Sequence, residues 1–194
     1  MVTGWTERVY GDPSWYLAQR ADVIAHLGPH LERGDRLLDL ACGDAALADH
    51  LPDGVSYLGV DTDELQLATA RARGHDVVRA DLNEYRPPEP VDVTTCFRAI
   101  YYARDRKDFL QRVHGYTRKK LVFDLNPRQY RVADVRDDVL AAGFTNFELQ
   151  PLFVSQRFAV APRLGRALRA LESSGPLARG LLRLRFTYVC AASS

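Results

Sequence analysis

"RLLDLACGDAALADHL", residues 36–51, is a short apolar run that breaks off into small and acidic residues. Leu37, Leu38 and Leu40 read as a buried strand over 36–42, followed by the loop Ala41 to Ala46 and then a helix. A glycine-bearing turn between a strand and a helix commonly holds phosphate on the helix N-terminus. Here Asp39 stands just before the turn and Asp44 just after Gly43. Two carboxylates at that place would repel a phosphate diester by several kcal/mol at low effective dielectric. They suit a ligand with a cationic head. Asp44 is equally suited to capping the helix that follows, whereas Asp39, inside an apolar strand, is costly to bury without a partner.

Apolar runs at 55–61, 76–82, 91–97 and 119–125 repeat the strand pattern of 36–42, with helical patterns between them at 63–73 and 104–116. Strand and helix in alternation imply a parallel sheet with right-handed crossovers and helices on both faces. Before the first strand, "GDPSWYLAQRADVIAHL" predicts a further helix with Asp12 as N-cap and Pro13 at its first position. Residues 133–144 read as a helix closed by Gly143, and 146–154 and 183–192 as two more strands. In the last, Leu184, Phe186, Tyr188 and Cys190 alternate with Arg185, Thr187 and Val189, the period of a half-buried strand. These two strands are expected to pair antiparallel and close the sheet edge as a long hairpin. The fold class is α/β: a doubly wound, Rossmann-like, seven-stranded and mainly parallel sheet with an antiparallel C-terminal strand. One domain is expected over 1–194, divided into a helical cap (1–33), a core (34–144) and a C-terminal hairpin with a basic helical insertion (145–194).

The 194 residues suffice to bury about 70% of the unfolded surface as one domain. With 46% hydrophobic and 26% charged residues and a net charge of +1, the chain offers no electrostatic case for nucleic acid. It contains no apolar run long enough to span a bilayer, and residues 1–12 lack the basic and apolar regions of a signal peptide. Cys42, Cys96 and Cys190 fit neither a zinc site nor a disulfide framework and read as small buried hydrophobes of a cytoplasmic protein. Charge is uneven, however: residues 151–194 hold seven arginines and one glutamate.

"LLDLACGDA" resembles motif I of the class I S-adenosylmethionine-dependent methyltransferases, whose common form is a strand ending in D-x-G-C-G-x-G. The resemblance runs from about residue 30 to the end; Ala41 and Ala45 stand where the family usually has glycine. It implies S-adenosylmethionine as cofactor and S-adenosylhomocysteine as product. It places Asp39, Ala41, Cys42 and Gly43 along the cofactor, and Asp61, with Thr62 beside it, on the ribose hydroxyls. Asp81 and Leu82 fall where the family meets adenine, and Phe97 and Arg98 where it lines the methionine portion. Two of these have purely structural alternatives: Asp61 as N-cap of the helix near Asp63, and Asp81 as cap of the turn "DLNEY".

In this fold the acceptor side is built from the N-terminal cap and the loops after the fourth and fifth strands. Its candidates here are Tyr10, Trp15, Tyr16, Asn126 and Arg128, with Tyr101 and Tyr102 as catalytic candidates. The tyrosines offer hydroxyls to a substrate or π-faces to a sulfonium methyl; one of them is equally suited to packing under a helix. The five histidines lie in or beside helices, so no general base is assigned, and no acidic cluster suggests a metal. In "PRLGRALRALE" (162–172), Leu164, Leu168 and Leu171 form one helical face opposite Arg163, Arg166 and Arg169. Such a helix packs on the domain, or, continued to residue 185, lies on an anionic membrane or covers a lipophilic substrate. The leading expectation is methyl transfer to a small-molecule acceptor. The alternatives are a non-catalytic cofactor-binding or interaction domain, and a nucleotide-dependent oxidoreductase.

Overall fold

The computed structural model describes residues 11–126, 129–152, 161–172, 174 and 187–194. Helix α1 (Pro13–His26) leads into strand β1 (Arg36–Leu40). Then come β2 (Ser56–Asp61), α2 (Glu64–Ala72), β3 (Val77–Arg79), β4 (Val91–Cys96), α3 (Arg106–His114) and β5 (Thr117–Leu125). The chain ends with α4 (Val132–Ala141), β6 (Asn146–Leu152), α5 (Pro162–Glu172) and β7 (Thr187–Ser193). The sheet order is β3-β2-β1-β4-β5-β7-β6. Strands β1 to β5 pair parallel, and β7 runs antiparallel to both β5 and β6. The expected seven-stranded, mainly parallel sheet with an antiparallel final strand is observed.

Alternation along the strands splits the core in two. Leu38 and Leu40 of β1 face α3 and α4, packing with Phe109, Leu110, Val113, Val135 and Val139. Leu37 faces the other way, toward Tyr16, Leu17 and Ile24 of α1. Helix α1 begins as its sequence predicts, with Trp15 N–H donating to Asp12 Oδ1 at 3.0 Å and Pro13 in first position. Its far end is held by a charge: Lys120 of β5 is fully buried and donates Nζ to Ile24 O at 2.6 Å and Leu27 O at 2.7 Å. Carbonyls at a helix C-terminus lack intrahelical donors and favour a cation, so each feature answers the other.

Three expectations change. No α-helix follows β1; residues 41–55 form turns and one 3₁₀ turn, Ala48–His50. Ala45 at φ 55° interrupts the helical course, and the few residues left before Pro52 are too short to nucleate another. The edge strand β3 is three residues long rather than seven. In α5 only part of the leucine face is docked. Gly165 and Glu172 are buried, Leu168 and Leu171 half-buried, and Leu164 is 50% exposed. The helix is also pinned by a buried polar contact, Gln19 Nε2 of α1 donating to both carboxylate oxygens of Glu172. The remainder of the basic stretch, 175–185, lies outside the described residues.

Candidate functional site

Strand β1 lies between β2 and β4, so consecutive crossovers leave it in opposite directions. Ligands of such sheets bind beyond the carboxyl ends of the strands at this switch point. The loop there is tightly curled: Ala41, Gly43 and Ala45 take φ of 61°, 58° and 55°. It is stitched to β2 by Cys42 N–H to Val60 O at 3.0 Å and by Gly43 N–H to Asp61 Oδ2 at 2.8 Å. The close approach needs a glycine on β2, since a Cβ on Gly59 would stand 2.7 Å from Cys42 Sγ. At Gly43 itself, no described heavy atom lies within 4 Å of where a Cβ would be.

That open side belongs to a cavity of about 590 Å³, within the size range of small-molecule sites. Ala41, Cys42, Gly43, Asp61, Thr62, Asp81, Leu82, Phe97, Arg98, Tyr101 and Tyr102, all expected from sequence, line it. Asp61 is held at both oxygens, Oδ1 accepting Asp63 N–H at 2.9 Å. The helix-capping role belongs to its neighbour: Asp63 accepts from Leu65 N–H and Gln66 N–H. Asp81 fills the capping role expected of it. Its Oδ1 accepts the Asn83 N–H and Nδ2 at 2.8 Å, closing the turn, while the residue also lines the cavity. The Asn83 backbone bond and the Arg104 guanidinium, 2.9 Å away, hold the Asp81 carboxyl below its usual pKa. Asp44 caps no helix and pairs instead with Arg73 at 3.6 Å.

Arg98 sits at φ 57°, a turn fixed by its N–H donating to the buried Asp124 at 2.5 Å. That turn carries the chain into the 3₁₀ turn Ile100–Tyr102, where the Tyr101 and Tyr102 rings pack 4.5 Å apart at 51°. Neither tyrosine is buried under a helix; they are 39% and 64% exposed at the cavity rim. Burial and the neighbouring Tyr102 push the Tyr101 phenol pKa up.

Asp39 is not part of the cavity wall. It points to the α1 face of the sheet, two positions from Leu37, and accepts from Tyr57 Oη at 3.0 Å and Thr95 Oγ1 at 2.7 Å. Burial pushes its carboxyl pKa up, against those hydrogen bonds. Tyr16 is a core residue, 2% exposed, rather than an acceptor contact. Trp15 packs against α5, its Nε1 being 2.7 Å from where a Cβ on Gly165 would stand. Asn126 is exposed beyond β5 and does not line the cavity. Tyr10 and Arg128 lie outside the described residues.

Arg20, Asn83 and Arg104 line the cavity without having been singled out from the sequence. Arg20 had a visible signal: it repeats the buried face of α1 at four residues from both Tyr16 and Ile24, where a charge is out of pattern.

Residues 38–120 match the family described as "Methyltransferase domain". That stretch, less than half of the chain, is similar to methyltransferase domains. Among curated proteins, the chain is similar to trans-aconitate 2-methyltransferase of Mycobacterium tuberculosis. The two are 29% identical over 111 residues, 52% of this chain and 42% of the other. The match therefore spans less than half the length of that relative. In fold it is similar to Haemonchus contortus phosphoethanolamine N-methyltransferase 2 in complex with S-adenosyl-L-methionine. That likeness has a TM-score of 0.63 at 16% identity, over 94% of this chain and 53% of the other. The [4+2]-cyclase SpnF is also similar, with a TM-score of 0.58 at 18% identity over 91% and 80% of the two chains.

The residues present fit the methyltransferase cofactor. Gly43 leaves its side of the loop open. Asp61 retains acceptor capacity beyond its two backbone donors, as a carboxylate has about four lone-pair sites. Asp61 and Asp81, at the ends of β2 and β3, suit a cationic ligand, and no helix N-terminus follows β1 to receive a pyrophosphate.

Proposed function

We propose that the protein transfers a methyl group from S-adenosylmethionine to a small-molecule acceptor by in-line displacement. The observation that supports this best is the Asp61 carboxylate, fixed by the Gly43 and Asp63 N–H groups at the wall of the cavity. When bound, the cofactor supplies an electrophilic sulfonium methyl group. Asp61 receives the ribose hydroxyls, Asp81 and Leu82 receive the adenine, and Ala41 to Gly43 present backbone to the amino-acid portion. Phe97 and Arg98 shape the wall next to it. Tyr101 and Tyr102, on the rim, orient the acceptor through their hydroxyls. In-line transfer needs the two reacting atoms aligned and about 3–3.5 Å apart, so positioning by these groups provides most of the acceleration. A cytoplasmic location belongs to this reading and is supported by three cysteines that are all free thiols.

The relatives named for trans-aconitate make that acid the first acceptor to try, in a panel with amines, phenols and lipophilic acids. Because a [4+2]-cyclase shares the fold, binding by itself does not establish methyl transfer. The test is calorimetry with S-adenosylmethionine, S-adenosylhomocysteine and NAD, followed by S-adenosylhomocysteine release across the panel. Binding of the first two with turnover on one acceptor supports the reading. Binding without turnover on any acceptor favours a non-catalytic domain, and preference for NAD removes the methyltransferase reading.

A further inference from the structure

We propose that Asn83, in the loop between β3 and β4, is a positioning residue that couples ligand binding at Asp81 to the placement of the rim tyrosines. The proposal rests on the S-adenosylmethionine reading, which puts the nucleoside at Asp81.

The Asn83 side chain joins two loops that are remote in sequence. Its Oδ1 accepts the Arg104 N–H at 2.9 Å, and its Nδ2 donates to Tyr102 O at 3.2 Å. The same Nδ2 donates to Asp81 Oδ1 at 2.8 Å, as does the Asn83 backbone N–H. One amide therefore ties the carboxylate beyond β3 to the chain leaving the turn Ile100–Tyr102, which carries Tyr101 and Tyr102 at the cavity rim.

A second link runs beside it. The Arg104 guanidinium donates to Asp81 Oδ2 at 2.9 Å and to Glu84 Oε1 at 3.1 Å. That side chain is 67% exposed, and exposed ion pairs contribute little once solvent screening and side-chain entropy are counted. Asn83 is half-buried, has a short stem with few torsions to fix, and bonds main-chain groups on the far side. The amide, rather than the ion pair, carries the coupling.

Three donors on Asp81 leave its Oδ2 with an open lone pair, since a carboxylate offers about four acceptor sites. A ligand amino group that takes this site favours the arrangement in which Asn83 stays on Asp81. The turn bearing the tyrosines is then held as well. Conversely, a turn that swings outward draws Asn83 off the carboxylate and weakens ligand binding, because coupling between two sites is reciprocal. The acceptor rim thus takes its working shape when the nucleoside is in place.

The test is residue-resolved amide hydrogen exchange by NMR, with and without S-adenosylhomocysteine. It compares wild type with Asn83→Ala, Asn83→Asp and Arg104→Gln, each first shown to fold by thermal unfolding. The Arg104 amide reports the link directly, since its acceptor is the Asn83 side chain, and the Gly43 amide on Asp61 reports cofactor binding itself. An amide that exchanges by local opening slows on ligand binding only when the opening and the ligand exclude each other. In wild type, Arg104 exchange should slow about 10-fold with ligand at about ten times its Kd. Asn83→Ala should speed it about 5- to 10-fold without ligand, the loss of one hydrogen bond. It should also abolish the response to ligand while Gly43 still responds. Asn83→Asp keeps the bond to the Arg104 N–H but repels Asp81, so that amide should stay slow and cease to respond. Arg104→Gln should keep the response. The proposal is overturned if wild-type Gly43 responds and Arg104 does not, or if Asn83→Ala leaves either the free rate or the response as in wild type. When neither amide responds in wild type, the S-adenosylmethionine reading fails as well, so Gly43 tells the two failures apart.

Discussion

The Asp61 carboxylate accepts the Gly43 N–H at 2.8 Å across eighteen residues of sequence, joining the end of β2 to the loop after β1. One side chain thereby shapes the loop and offers its remaining lone pairs to the cavity. Asp61→Ala removes both functions. S-adenosylhomocysteine binding should weaken by about 1.5–3 kcal/mol, the range for a charge-assisted hydrogen-bond partner. Asp61→Asn, which keeps one acceptor oxygen, should lose less. Calorimetry on the three proteins checks the order, and equal affinities would remove Asp61 from the site.

The three left-handed positions of the loop respond differently to a methyl group. Gly43→Ala meets no described atom, so its cost to folding is the backbone strain of φ 58°, about 1–2 kcal/mol. The new methyl projects into the open side, so cofactor affinity should drop by more than stability does. Conversely, Ala41 already bears that strain, and Ala41→Gly should raise stability by up to about 1 kcal/mol after the extra unfolded-state freedom of glycine is subtracted. Ala45→Gly should be near neutral, because relief of strain is offset by loss of a fully buried methyl worth about 0.8 kcal/mol. Denaturant titrations of the three variants test the ranking.

Lys120 gives stability a pH dependence of defined sign. Burial depresses its pKa from 10.5 to about 8. Between those values the unfolded chain holds a proton that the folded protein has released, so stability rises as pH increases through this window. The full span is on the order of 3 kcal/mol. Wild type should therefore gain stability relative to Lys120→Met between pH 7 and pH 10. Parallel pH profiles for the two proteins would show that the lysine titrates alike in both states.

Glu172 ties the basic helix to the body. It is 2% exposed and receives Gln19 Nε2 at 3.1 and 2.8 Å. Glu172→Ala leaves a buried amide donor unpaired and should cost about 1–3 kcal/mol. Proteolytic cleavage within 161–172 should accelerate, whereas cleavage at the exposed Leu65 on α2 should not. If both sites are cut as before, α5 is held by contacts other than this one.

The order of elements was readable from local pattern, because period-2 and helical runs alternate plainly and Asp12-Pro13 marks the start of α1. So were Gly43, Asp61 and Asp81, which fall at the ends of strands where a parallel sheet must present its ligand. Other features depended on distant partners. Asp39 turns away from the cavity because alternation sends it to the α1 face, where Tyr57 and Thr95 accommodate it. The missing helix after β1 follows from Ala45 adopting a backbone conformation that alanine rarely takes and that only the packed loop enforces. Arg20 became part of the site through Phe97 and two carboxylates on β1 and β5 that are distant from it in sequence. Sequence by itself determined which residues stand at strand ends, since that is a matter of local periodicity. Which charges meet there was decided by the tertiary structure, because a buried charge is set by the desolvation and partners that only the assembled sheet supplies.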